Sequence, residues 1–248
     1  MTDYLVLAAA AFFAGMLNTV AGGGTFLTFP ALVYTSVPVV AANATSAVAV
    51  FPGYLAGAAG FRREIATFDR ARLVKIVAAT AIGGLIGSVL LLVSSNEAFS
   101  AVVPFLLAVA TLAFAFGDKI RDWAQRHSFG SAEGPVGTVL VSIYGGYFNG
   151  GLGIVLLALF SLWGMRDINL MNGLKNGLSF VLSAISVATF ALAGLVAWPQ
   201  ALVMMVAATA GGYAGAPLAR ALPRSIVRAV VIVVGAAMSA VFFWRLFA

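Results

Sequence analysis

The sequence predicts an all-α integral membrane protein built as two inverted repeats, each a re-entrant or broken helical hairpin plus three transmembrane helices. Three observations carry that expectation. Of 248 residues, 62% are hydrophobic and only 9% are charged, against about 25% charged in an ordinary soluble domain. Apolar runs at 73–93, 98–116 and 227–244 reach or approach the roughly 20 residues that a helix needs to cross a bilayer. The period-two alternation that a membrane β-barrel requires is absent.

Taken in order, apolar runs and their breaks place segments at 4–35, 39–61, 70–93 and 98–116, then at 136–163, 170–196, 198–219 and 225–247. The one long polar connector divides the chain into a first membrane repeat (1–117), a cytoplasmic linker (118–134) and a second membrane repeat (135–248). Residues 4–34 as one helix would measure about 46 Å, against a hydrocarbon core of about 30 Å. That segment is interrupted at its middle by Asn18-Thr19-Val20-Ala21-Gly22-Gly23-Gly24, and its second-half counterpart by Asn149-Gly150-Gly151-Leu152-Gly153. Each Gly costs a helix about 1 kcal/mol, so both segments are expected to fold back as hairpins whose tips meet near mid-membrane.

The duplication is read from matched residues. Asn18 pairs with Asn149, Asn43 with Asn172, and the Gly83-Gly84-x-x-Gly87 cluster with Gly211-Gly212-x-x-Gly215, at spacings of 131, 129 and 128 residues. The Gly83 and Gly211 clusters are expected to serve helix packing alone.

Basic residues set the orientation. The second-to-third connection of the first half holds Arg62, Arg63, Arg70, Arg72 and Lys75, whereas its counterpart at 196–200 holds none; the next connection reverses this, with Arg220, Arg224 and Arg228 in the second half. Positive residues mark the cytoplasmic side, so matching loops face opposite sides. With both termini periplasmic, Lys119, Arg121, Arg126 and Arg166 also fall inside and only Arg245 outside. Eight plain crossings would spread the same charges over both faces.

Within the apolar segments the polar side chains gather at equivalent places: Asn18, Thr25, Asn43, Thr45 and Ser46 in the first half, and Asn149, Asn172, Lys175 and Asn176 in the second. Irregular backbone at membrane depth survives where it lines a cavity, and transporters put substrate sites at such breaks. Backbone N–H groups at Gly22, Gly23, Gly24, Gly151 and Gly153, at the positive ends of returning half-helices, would suit an anion. The bland alternatives stand beside these: Asn as a helix cap, Thr45 and Ser46 bonded back to their own helix. Lys175 lies inside an apolar run that contains no Asp or Glu. It either meets the substrate or snorkels to the headgroups.

Other functions are excluded or unsupported. The net charge of +6 comes from residues at segment ends and forms no stripe, which argues against nucleic acid. Zero Cys removes thiolate catalysis and disulfides. The single His127 sits in a polar stretch, and no dinucleotide, Walker A or metal-ligand pattern occurs, so neither enzyme activity nor a cofactor or metal is expected. Asn43-Ala44-Thr45 fits the glycosylation sequon by chance. The start Met1-Thr2-Asp3-Tyr4 lacks a basic n-region, so the first apolar segment is expected to be retained. Asp69 reads as a helix N-cap, and Trp123, Phe129, Trp163, Trp198 and Trp244 as interfacial anchors.

These residues give the chain a resemblance to the sulfite exporter TauE/SafE family over nearly its whole length. The matching stretches are Ala14-Gly15-x-x-Asn18-x-x-x-Gly22-Gly23-Gly24 with Pro30, then Ala42-Asn43-Ala44-Thr45-Ser46, and Asn172-Gly173-Leu174-Lys175-Asn176. The resemblance implies a multi-span permease of the bacterial inner membrane for sulfite, sulfoacetate or related anions. The expected partners are a small anionic substrate and the lipid bilayer, with the chain a monomer or homodimer. Without an intramembrane Asp or Glu, potential-driven export is the expected mechanism, at about 2.3 kcal/mol per charge per 100 mV. Coupling through the substrate's own proton stays open, as does an anion channel or an importer of a related anion.

Overall fold

The structure, a computed structural model, describes residues 2–20, 23–126, 135–221 and 224–247. Among the described residues all regular structure is helical: α1 (Thr2–Val20), α2 (Thr25–Tyr34), α3 (Val39–Gly60), α4 (Arg62–Ala66), α5 (Arg70–Val93), α6 (Asn96–Arg126), α7 (Pro135–Tyr147), α8 (Leu152–Leu162), α9 (Ile168–Leu192), α10 (Trp198–Ala221) and α11 (Arg224–Phe247). Among the described residues, four stretches are long and apolar enough to cross a membrane: α3, α5, residues 96–113 of α6, and α9. α10 and α11, at 24 residues each, reach about 36 Å and match that length.

Local sequence sets where the helices begin and stop. The Asp69 carboxylate accepts from the Arg72 amide at 2.9 Å and starts α5, as expected from sequence. Asp167 caps α9 by accepting from the Asn169 and Leu170 amides. Each such cap is worth about 1 kcal/mol. Pro52 lies inside α3, where its missing N–H leaves the Val48 carbonyl without its helical partner. The polar residues after Gly117 end an apolar run but not a helix, so α6 continues to Arg126 rather than stopping near 116. The connection between α3 and α5 holds the short α4, and Phe61 just before it and Ile65 within it press against Gly173.

Contacts fix the directions of the helices. α7 and α8 form a folded-back hairpin, with Gly145 against Leu152 near the tip and Gly137 against Leu159 at the base. α5 runs parallel to α7, and parallel to α9 through Gly84 against Leu182 and Ser88 bonded to Thr189. α3 runs antiparallel to α9. The Thr45 hydroxyl near the start of α3 accepts from the Ala197 amide just past the end of α9, while Phe61 just past the end of α3 meets Gly173 at the start of α9. In consequence α4, the starts of α5 and α9 and the far end of α6 share one end of the bundle, which carries Arg62, Arg63, Arg70, Arg72, Lys75, Lys119, Arg126 and Arg166.

The packing repeats itself between the halves. α1 lies against α10 and α7 against α5; α3 crosses α9, and α6 crosses α11. A Cβ on Gly15 would fall on the Ala208 carbonyl and 2.8 Å from the Gly212 nitrogen, and one on Gly146 would meet the Gly84 backbone. The glycine clusters thus serve close helix approach, but not packing alone as expected, since Gly212 also lines a cavity. The larger core centres on Phe29 of α2, fully buried. Its ring meets Phe99 of α6, Phe148 at the second hairpin tip, and Phe242 of α11.

Candidate functional site

The two breaks are built differently although their sequences match. In the first half Asn18 still belongs to the last turn of α1, and its Oδ1 accepts from the Gly24 amide at 2.7 Å. The amide oxygen therefore caps the returning helix α2, while Thr28 Oγ1 donates to the Gly24 carbonyl one turn on. In the second half Asn149 lies in the break itself, with φ +60°, and Gly151 follows at φ +71°. Only Gly adopts that left-handed conformation without steric cost. The Tyr144 hydroxyl donates to the Gly150 carbonyl across this tip. Gly23, Gly24 and Thr25 are buried beside the first break, and Gly153 is buried in the first turn of α8; Gly22 lies outside the described residues, as do His127 and Phe129.

Two of the expected polar residues tie elements together. Asn43 Nδ2 donates to the Tyr147 carbonyl at 2.8 Å, which pins the second tip to α3. Thr45 and Ser46 do not bond back to their own helix. Thr45 accepts from Ala197, and the Ser46 hydroxyl pairs with Thr28 at 2.6 Å. The reason is position: α3 is enclosed by α2 and the α9–α10 connection, which offer better-placed partners than a carbonyl already engaged in the helix.

A cavity of about 640 Å³ lies between α1, α3, α9 and α10, lined by Gly15 and Asn18, by Val50, Pro52, Gly53, Tyr54 and Gly57, by Asn176, and by Ala208, Thr209 and Gly212. It occupies the half of the bundle nearer the basic end and reaches inward to the first tip at Asn18. Among the described residues its polar side chains are amides and hydroxyls, and none is a carboxylate. Tyr54 lines the cavity and also faces Asn149, which brings the cavity up to the second tip. Of the residues expected from sequence, the cavity brings together Asn18 and Asn176.

Lys175 is buried about two turns inside α9, and its Nζ donates to Asn172 Oδ1 at 3.1 Å. Both stand next in line to Asn176, without joining the cavity lining. Tyr54 and Thr209 were missed by sequence reasoning. A usable signal existed in the run Gly53-x-x-x-Gly57-x-x-Gly60, which strips one face of α3 of side chains on either side of that tyrosine.

Comparison with known proteins agrees with this architecture. The family model described as sulfite exporter TauE/SafE matches residues 7–242. A probable membrane transporter protein of Haemophilus influenzae is 28% identical over 95% of this chain and 92% of its own length. The probable membrane transporter protein YfcA of Escherichia coli K12 is 27% identical over 95% and 87%, and the probable membrane transporter protein ORF9 of a Sinorhizobium species 24% over 93% and 88%. No solved structure matches the chain.

Proposed function

The chain belongs to the sulfite exporter TauE/SafE family, a family of membrane transporters, and on that premise we propose that it exports a small anion, sulfite or an organosulfonate, across the bacterial inner membrane. The observation that carries this reading is the cavity that runs from the basic end of the bundle to the broken helix at Asn18, a largely apolar wall set with the uncharged polar side chains of Asn18, Tyr54, Asn176 and Thr209 and, among the described residues, free of carboxylates. Such a lining lets an oxyanion shed part of its hydration against amides and hydroxyls without meeting like charge. Lys175, buried beside Asn176, adds positive potential in a medium that screens it weakly.

The basic end is read as cytoplasmic, which puts both termini in the periplasm and makes the two halves inverted copies. The inside-negative potential then drives anion exit, and a carrier operating on it needs no proton relay, cofactor or catalytic residue. A carrier is favoured over a channel because, among the described residues, the region equivalent to the cavity wall is closed: Gly84 and Gly145 both pack against Leu182.

The test is flux of labelled sulfite into inside-out proteoliposomes, with sulfoacetate and carboxylates as competitors. Saturable flux that falls with Lys175→Ala is expected. Flux that is unsaturable, or that competitors and the variant leave unchanged, would remove the proposal.

A further inference from the structure

The cavity wall has a counterpart in the other half, position by position. At the spacings that relate the repeats, Gly53 corresponds to Leu182, Tyr54 to Ser183, Gly57 to Ser186 and Ala208 to Thr80. Gly53, Tyr54 and Gly57 line the cavity; nothing lies within 4 Å of a Cβ on Gly53, while one on Gly57 would meet the Asn176 side chain. The second member of each pair is buried: Leu182, Ser183, Ser186 and Thr80 are at most 2% exposed. Moreover, the hydroxyls of Thr80, Ser183 and Ser186 find no hydrogen-bond partner.

Such groups are rarely left in a close-packed interior, because each loses its bonds to water without replacement. Nor do they bond back to the helix carbonyl one turn earlier, as Thr189 does to Ile185 and Ser161 to Leu157. Their placement makes sense if this seam spends part of its time wet.

We infer that Thr80, Ser183 and Ser186 wall a second half-pathway for the same hydrated oxyanion, closed in this structure, which opens toward the bundle end away from the basic residues when the cavity at Gly53 closes. The inference rests on the transport reading above, though not on the identity of the anion. Opening exposes hydroxyl donors to water and substrate at the moment the cavity on the opposite side packs shut. Gly53 and Gly60, beside which nothing lies within 4 Å, leave room for that packing, since they present no side chain to the approaching helices. Serines at the mirror positions occupy more space but supply donors, so the two half-pathways are chemically unequal.

The chain contains no cysteine, so single-cysteine variants need no background changes. Gly60→Cys, Ser183→Cys and Ser186→Cys are reconstituted and exposed to a membrane-impermeant methanethiosulfonate cation from one face at a time. Gly60→Cys is expected to react from the face bearing the basic residues. Ser183→Cys and Ser186→Cys are expected to react from the opposite face, about tenfold to a thousandfold more slowly, as befits a minor conformation. Adding Gly53→Trp, which fits the open cavity but not a closed one, should abolish labelling at Ser186→Cys while Gly60→Cys still reacts, which also shows that the variant folds.

Labelling of the serine positions from the basic face, no labelling from either face, or labelling that Gly53→Trp leaves untouched each overturns the inference. Absence of sulfite flux with the labelling pattern intact would instead remove the assigned substrate and leave the second half-pathway standing.

Discussion

Phe51 of α3 stacks on Phe180 of α9 with ring centroids 5.0 Å apart and planes 11° from parallel, and the two are separated by the same 129 positions that relate Asn43 to Asn172. A residue that touches its own counterpart marks where the two halves meet, midway along two antiparallel helices. An aromatic pair of this kind contributes about 0.5–1.5 kcal/mol beyond area burial. A double-mutant cycle of Phe51→Leu and Phe180→Leu, read by thermal unfolding in detergent, is expected to give a coupling in that range. Additive single effects would show that the stack carries no energy of its own.

Glycines that look alike in the sequence should behave oppositely. A Cβ at Gly15, Gly146 or Gly211 lands on the backbone of a neighbouring helix, whereas one at Gly60 meets nothing. Gly15→Ala and Gly211→Ala are therefore expected to destabilise by about 1–3 kcal/mol through overpacking, and Gly60→Ala to stabilise by about 0.5–1 kcal/mol through lost backbone freedom in the unfolded chain. Melting temperatures of the purified variants check both signs.

Much of this fold was legible because membrane helices announce themselves through length, apolarity and Gly-rich breaks; α3, α5, α9 and the broken hairpin α7–α8 follow from those rules. Boundaries set by polarity alone were not legible, as α6 shows by continuing through Asp118 and Lys119 as a helix leaving the bilayer. At the site, Asn18 and Asn176 were found because amides stand out in apolar segments. Tyr54 and Thr209 were not, since a tyrosine or threonine inside a helix has many packing roles and only the open space beside the α3 glycines selects this one. Asn149 matches Asn18 in sequence yet sits within its break, because α7 ends at Tyr147, two residues before it.

Asn18 separates helix capping from substrate contact. Its Oδ1 accepts from Gly24, a role an aspartate oxygen fills equally well and alanine does not. Asn18→Ala is expected to cost about 1 kcal/mol of stability. Asn18→Asp should keep the fold but place a carboxylate in the cavity wall, lowering anion flux about tenfold or more through like-charge repulsion in a weakly screened site. Sulfite flux measured beside the melting temperature distinguishes them; flux undiminished in Asn18→Asp would place the anion's route away from this tip.

Asn43 tests how the second tip is held. Its amide donates to the Tyr147 carbonyl across the two halves of the chain, and aspartate of the same shape offers no donor. Asn43→Asp should therefore cost more than Asn43→Ala, because it sets a carboxylate against a carbonyl while both changes leave that carbonyl unsatisfied, at about 1–3 kcal/mol for the lost bond alone. Equal melting temperatures for the two variants would show that water or another donor replaces the amide.

The buried pair Thr28 and Ser46, whose hydroxyls lie 2.6 Å apart, gives a prediction in which two changes do less harm than one. Thr28→Val alone removes the partner of Ser46 and strands a hydroxyl that is fully buried; stranding such a group costs about 1–3 kcal/mol. Thr28→Val with Ser46→Ala strands nothing, since both polar groups leave together and the valine preserves the volume of the threonine. The double variant is thus expected to be more stable than Thr28→Val alone, by roughly the desolvation cost of one hydroxyl. If Ser46 contributes to the transport path as well as to packing, the double variant should recover melting temperature without recovering flux. Recovery of both would confine Ser46 to holding α2 against α3.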